Sequence, residues 1–255
     1  MNDYVKELMK LIDKIAYTHT SREVFKDFIE MSAISISNSV EHSHYNEREK
    51  QYLSLIKKYD SERQKLFPEA FALLVEALET EAQVGTPVDI LGPLFMDFKL
   101  GDKGQFFTPQ HVCTMMGKLA LSENDKSITE KGFITLSEPC CGAGAMVLGF
   151  AQAMKNCKYD YTRQLVVTAV DTDIRCIHMC YLQLALYGIP AVVVHGDSLA
   201  VKEWSHWYTP VYIFHGWQWK TRRNTAEQPA PMKAVSLSNP QERAQVYEQL
   251  NLFDT

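Results

Sequence analysis

Ser137-Glu138-Pro139-Cys140-Cys141-Gly142-Ala143-Gly144-Ala145 decides how this chain is read. The run Phe133-Ile134-Thr135-Leu136 precedes it and Met146-Val147-Leu148-Gly149-Phe150-Ala151 follows it. An apolar, partly β-branched run, a small-residue turn and the start of an amphipathic helix predict strand, turn and helix, a form suited to a nucleotide-sized ligand. Gly142 and Gly144 allow backbone angles that a side chain would forbid, and they let a ligand approach the main chain. The helix N-terminus beyond offers free N–H groups. Alone, such a turn is equally compatible with a tight connection that binds nothing.

Three neighbouring segments supply the context. Gly104-Gln105-Phe106-Phe107-Thr108-Pro109 opens a predicted helix. Val166-Val167-Thr168-Ala169-Val170-Asp171 reads as a strand ending in a carboxylate, and Val192-Val193-Val194-His195 as a strand running into Gly196-Asp197-Ser198-Leu199. From Thr129 to Leu199 the order strand, helix, strand, helix, strand predicts a parallel sheet with right-handed crossovers. Ligands in such sheets sit at the carboxyl ends of the strands, where Ser137 to Gly144, Asp171 and Asp197 fall.

In this order the four segments resemble the N6-adenine DNA methyltransferases, in particular the methylase subunit of type I restriction-modification systems. The resemblance implies an α/β, Rossmann-like S-adenosylmethionine-dependent methyltransferase sheet with an N-terminal α-helical domain, and S-adenosylmethionine as cofactor. It further implies that Asp171 accepts hydrogen bonds from the ribose hydroxyls, that Asp197 bonds the adenine amine and that Leu199 packs on the adenine ring. Within Gly104, Gln105, Phe106, Phe107, Thr108 and Pro109, the Thr108 hydroxyl and nearby backbone match the groups that hold the methionine carboxylate. Phe106 or Phe107 would lie beside the adenine, a core role for one of them being the alternative. Glu138, in place of the commoner aspartate, stands with Pro139, Cys140, Gly142 and Gly144 opposite the cofactor's amino group. Ala143 and Ala145 are mild departures from the usual Ser and Gly. Asp173 reads as a helix N-cap.

One part of the family pattern is missing. Adenine-N6 transfer uses an Asn/Asp/Ser-Pro-Pro-aromatic motif after a fourth strand, which holds the target amine and stacks on the flipped base. Here Val201 to Tyr212 replaces the expected apolar strand, and Thr209, Pro210 and Tyr212 are the weak candidates for a divergent motif, threonine lacking the amide or carboxylate acceptor. Asn239-Pro240-Gln241 lacks the aromatic and reads as a turn. The sheet is therefore expected to be truncated. Trp204, Trp207, Trp217 and Trp219 precede Lys220, Arg222 and Arg223, a grouping that fits either stacking on unpaired bases or a flap over an incomplete sheet.

Composition narrows the classes. The formal charge of −5 over 255 residues excludes a broad electrostatic nucleic-acid binder, so any DNA contact is expected to be local. No stretch approaches a membrane span or a secretory leader, which predicts a cytoplasmic protein of bacterial, phage or plasmid origin. The six cysteines lack zinc spacing and read as reduced thiols. Cys176 and Cys180 share a helix face that His178 does not, which favours core packing over a metal site.

Helical stripes dominate the first hundred residues. Val5, Leu8, Ile12 and Ile15 predict a helix over 3–16, Thr20 with Glu23 a capping box, Asn46 with Glu49 a looser one, and Pro68 the first turn of a helix over 69–81. The expected domains are 1–100, helical; 101–223, methyltransferase-like and S-adenosylmethionine-binding; and 224–255, a flexible tail. The tail holds Gln249-Leu250-Asn251-Leu252-Phe253, which looks like the peptide that binds the bacterial sliding clamp through Gln249, Leu250, Leu252 and Phe253. A short helix docking back on the domain is the alternative. The first reading is an S-adenosylmethionine-dependent adenine-N6 DNA methyltransferase, with DNA as partner and a possible requirement for a specificity or other subunit. The competing one is an inactive, cofactor-binding pseudo-methyltransferase with a regulatory or replication-associated role. A dinucleotide oxidoreductase leaves Gly104 to Pro109 and Gly196 to Leu199 unexplained.

Overall fold

The computed structural model describes residues 2–84, 87–101, 107–121 and 126–226. Helices come first: α1 (Asp3–Ile15), α2 (Ser21–Val40), α3 (Tyr45–Ile56), α4 (Ser61–Gln64), α5 (Leu66–Val84), α6 (Leu91–Asp97), α7 (Gln110–Ala120) and α8 (Lys126–Lys131). The sheet region follows as β1 (Ile134–Glu138), α9 (Ala145–Asn156), α10 (Tyr161–Gln164), β2 (Leu165–Asp171), α11 (Ile174–Leu186) and β3 (Ala191–Asp197). After it come β4 (Lys202–Tyr208), α12 (Pro210–Phe214) and α13 (Trp217–Ala226). Chain contacts separate Met1–Gln218 from Trp219–Thr255. All packing relations that follow lie within the first unit.

Sequence chemistry sets the helix starts. Asn2 accepts from Tyr4 N–H ahead of α1, whose buried stripe is Val5, Leu8, Ile12 and Ile15. The Thr20–Glu23 capping box forms in both directions and opens α2. The helix α3 begins at Tyr45 after His44, not after Asn46. Ser43 Oγ and His44 Nδ1 both meet Glu41 Oε1, at 2.7 and 2.8 Å, and so fix the turn one step earlier than the Asn46 spacing suggests. Pro68 lies in the first turn of α5, where a missing N–H costs nothing.

Strands β1, β2 and β3 are parallel neighbours, with Ser137 opposite Thr168 and Ala169 opposite Val193. Strand β4 turns back antiparallel on β3, with Trp207 opposite Val193. The connection from Ser198 to Val201 is far too short for a crossover, which needs a dozen or more residues, so only a hairpin is open to it. A bulge at His195/Gly196 lets the hairpin form, and a Cβ on Gly196 would lie 2.5 Å from the Lys202 carbonyl oxygen. The order β1-β2-β3-β4 leaves β1 at an edge among the described residues. Thr135 and Ser137 on that strand are exposed.

Helix α11 is the centre of the molecule. It packs on β2 and β3 with one side and on α2, α5 and α6 with others, and Cys176, Ile177, Met179, Cys180, Tyr181 and Leu182 are all buried. Each Leu- or Ile-sized side chain buried in this way contributes about 1.5–3 kcal/mol before entropy is counted. Arg48 ties the helical segment to the sheet. Its guanidinium donates to Ser37 Oγ and Glu41 Oε2 at 2.6 Å and to the His206 carbonyl at 2.7 Å, and lies 4.1 Å from the centre of the Trp207 ring. Removing the arginine would leave Glu41 Oε2 without its buried guanidinium partner, Oε1 keeping Ser43 and His44.

Candidate functional site

Three strands end in acids on one side of the sheet: Glu138 is the last residue of β1, Asp171 of β2 and Asp197 of β3. The turn after β1 is held down by main-chain bonds, Cys141 N–H to the Val170 carbonyl and Gly144 N–H to the Cys141 carbonyl, both at 2.8 Å. Gly142 and Gly144 have φ of +53° and +98°, in the left-handed region that favours glycine. A Cβ on Gly142 would lie 3.0 Å from the Phe107 ring, and one on Gly144 would lie 3.1 Å from Cys180 Sγ. Both sides of the turn are thus closed to a side chain.

Phe107 meets Phe95 edge-on at 5.6 Å, which places the segment before α7 against the turn. Thr108 and Pro109 are exposed, and Pro109 is the N-cap of α7. Gly104, Gln105 and Phe106 lie outside the described residues, as do Gln249, Leu250, Leu252 and Phe253. Gly144 caps α9 with no side-chain hydrogen bond, so the first N–H groups of this helix are left for a ligand or water.

The acids have different surroundings. Glu138 is half-buried with one oxygen 3.2 Å from Cys140 N–H, and burial, then the nearby Asp171, raises its pKa. Asp171 accepts from Gly142 N–H at 2.8 Å through Oδ2 and from Asp173 N–H at 2.9 Å through Oδ1. Asp197 Oδ1 accepts from Leu199 and Ala200 N–H, both at 2.9 Å, which fixes the loop after β3. Ser198 Oγ donates to the Pro139 carbonyl at 2.9 Å and so joins that loop to the β1 turn. Leu199 is 96% exposed. Burial, then Asp171 and Glu138, raises the thiol pKa of exposed Cys140, which does not make it a thiolate nucleophile.

The structure does not bring Thr209, Pro210 and Tyr212 to these acids. Because β4 runs antiparallel, its end lies beside the start of β3, at the opposite end of the sheet. Thr209 is fully buried, accepting from Ala191 N–H at 2.9 Å and donating to the Ile189 carbonyl at 2.8 Å. Pro210 opens α12, and Tyr212 is buried and stacked on Tyr208 at 5.6 Å. The tryptophans also part company. Trp207 lies under Arg48, Trp217 packs on Phe133 at 5.0 Å, Trp204 is exposed beside His195 and Trp219 belongs to the second unit. Cys176, His178 and Cys180 are buried in α11, and no group of metal-ligating side chains forms among the described residues.

The sequence pattern of N-6 DNA methylases matches residues 93–240, more than half of the chain. The chain belongs to the N-6 DNA methylase family. S-adenosylmethionine is the cofactor this membership implies. No curated protein matches significantly. A solved structure from Listeria monocytogenes, provisionally described as a class I S-adenosylmethionine-dependent methyltransferase, is similar with a TM-score of 0.46 and 15% identity, over 86% of this chain and 70% of that one. No helix among the described residues is long and apolar enough to cross a membrane.

The donor set at the strand ends fits that cofactor. Three carboxylates make a negative field, which favours a ligand carrying a sulfonium and an ammonium. The uncapped start of α9 can accept a carboxylate. The sequence reading gave no individual role to several residues that shape this site: Asp89, Gln183, Ser198, Gly117 and Gly149. A Cβ on Gly149 would lie 2.5 Å from the Cys113 carbonyl carbon, so the two glycines let α7 and α9 touch main chain to main chain. Glycine inside an apolar helix was the one signal available for that contact.

Proposed function

We propose that this N-6 DNA methylase binds S-adenosylmethionine across the carboxyl ends of β1, β2 and β3 and methylates adenine N6 in DNA. The observation that carries the reading is the alignment of Glu138, Gly142 to Gly144, Asp171 and Asp197 at the ends of three adjacent parallel strands, tied together by the Gly142–Asp171 and Ser198–Pro139 bonds. Glu138 would take the cofactor's ammonium. A carboxylate offers about four acceptor positions, so Asp171 can accept from the ribose hydroxyls while holding Gly142 and Asp173. Asp197, through the oxygen outside its own turn, would accept from the adenine amine, with Leu199 against the ring. Thr108 and neighbouring backbone would hold the methionine carboxylate, with Phe107 beside the turn. When bound, the cofactor supplies an electrophilic methyl group on a cationic sulfur.

The same negative field repels phosphate, which supports DNA contacts made elsewhere on the chain or by a partner subunit. The amine of the flipped base still needs an acceptor. Thr209, whose hydroxyl is engaged by Ala191 and Ile189 at the other end of the sheet, does not supply it. Gln249 to Phe253 would tether the chain to a sliding clamp, raising the local concentration of enzyme at replicated DNA.

The placement of Thr209 to Tyr212 also favours a second reading, a cofactor-binding protein that does not transfer methyl groups. Tritiated-methyl transfer to unmethylated DNA, measured with S-adenosylmethionine binding in the same preparation, separates the two. Binding with transfer by the wild type supports the enzyme. Binding without transfer supports the second reading.

A further inference from the structure

Gln183 lies midway along α11 with 0% of its surface exposed, where an aliphatic side chain would satisfy the packing. Both ends of its amide are used. Oε1 accepts from Ile90 N–H at 2.8 Å and from Leu91 N–H at 3.3 Å, at the entry to α6. Nε2 donates to Asp89 Oδ1 at 2.9 Å and to the Ala143 carbonyl at 2.8 Å. Ala143 stands between the two glycines of positive φ. The Ala143–Gly144 peptide is therefore gripped on both sides, its carbonyl by Gln183 and its N–H by the Cys141 carbonyl. Without such a grip, a peptide flanked by glycine could rotate at little cost.

The segment from Pro87 to Leu91 reaches further. Asp89 N–H donates to Gln110 Oε1 at 3.2 Å, and Gln110 is the first residue of α7, directly after Thr108-Pro109. Tyr187, one turn beyond Gln183 on the helical register, clips the same segment through Val88, its hydroxyl meeting the Val88 N–H and carbonyl at 3.2 and 3.1 Å. Among these bonds only Gln183 also reaches the glycine turn.

We infer that Gln183 is a positioning residue for cofactor binding, its amide setting the Ala143–Gly144 peptide and coupling the glycine turn to the Asp89–Leu91 segment. The inference rests on the cofactor reading above. A merely structural role would make the loss of any clip on that segment equivalent. A positioning role makes the loss of Gln183 specific, because it alone frees the turn.

The test compares Gln183→Met, which keeps the length and apolar volume of the side chain, with Tyr187→Phe, which loosens the segment and leaves the turn bond in place. Calorimetric titration with S-adenosylmethionine should show affinity about tenfold or more weaker in Gln183→Met, the worth of a buried hydrogen bond or more, and within about twofold of wild type in Tyr187→Phe. Circular dichroism checks that both are folded. In the wild type, which carries no folding risk, S-adenosylmethionine should slow hydrogen exchange of the Ile90 and Leu91 amides. A folded Gln183→Met with unchanged affinity, equal weakening in the two variants, or exchange at Ile90 and Leu91 indifferent to the cofactor would overturn the inference. Wild type that binds no S-adenosylmethionine would overturn the cofactor reading itself, and the inference with it.

Discussion

Gly142 N–H donates to Asp171 Oδ2 at 2.8 Å, so the acid that ends β2 braces the turn that follows β1. Asp171→Ala should remove both a ligand acceptor and the brace. Loss of two charge-assisted hydrogen bonds at about 1.5 kcal/mol each predicts affinity for S-adenosylmethionine weaker by about a hundredfold. Calorimetry on the purified variant measures this, and unchanged affinity would refute the role given to Asp171.

Glu138 predicts effects of opposite sign on stability and on binding. Burial, then Asp171, raises its pKa in the folded chain. Its favourable contribution is present below the ordinary value of 4.5 and is lost as pH rises through the raised folded value, so at neutral pH the ionised side chain is a cost to the ligand-free protein. Glu138→Gln should raise the melting temperature at pH 7 and weaken S-adenosylmethionine binding by about tenfold, through loss of a charged partner for the ammonium. Thermal unfolding and titration of the same sample decide it, and movement of both quantities in one direction would contradict the assignment.

His178 predicts acid sensitivity away from the site. Burial, with His195 and Arg48 nearby, pulls its pKa down from 6.5 to about 3, and its ring meets Trp207 at 4.8 Å. With the folded value depressed, the stability is complete above about pH 6.5 and declines as pH falls toward 3, by about 2 kcal/mol at pH 5. His178→Phe keeps a flat ring against Trp207 and should flatten the melting temperature between pH 6.5 and 5. An equally steep decline in the variant would place the sensitivity in other groups.

Thr209 gives a prediction that separates fold from chemistry. Thr209→Val keeps the shape and strips the hydroxyl from Ala191 N–H and the Ile189 carbonyl, which should cost about 1–3 kcal/mol. Cofactor affinity should not change. Methyl transfer lost at an unaltered melting temperature would return Thr209 to the reaction.

How much of this was legible varied with what each residue faces. The strands β1 to β3 could be read because runs such as Val166 to Val170 are apolar and end in an acid. Strand β4 could not: Lys202, Glu203 and Trp204 are exposed on an edge and Trp207 alone is buried, so Lys202 to Tyr208 carries no alternation of the usual kind. The capping box at Thr20 announced α2 because both partners are local in sequence. Asn46 misled, since the bonds that set the start of α3 come from Ser43 and His44 to Glu41. Gln183 could not be found from its spacing, because its four partners lie 40 to 94 residues away. The acids of the site could be placed at strand ends by pattern, whereas their partners, such as Ser198 for Pro139, depend on how the loops meet.

The most direct measurement is calorimetric titration of the whole chain with S-adenosylmethionine, wild type beside Asp171→Ala. The expected result is saturable binding of one cofactor per chain that is lost or severely weakened in the variant. Absence of binding by the wild type, or equal binding by the two proteins, would contradict a cofactor site at the ends of β1, β2 and β3.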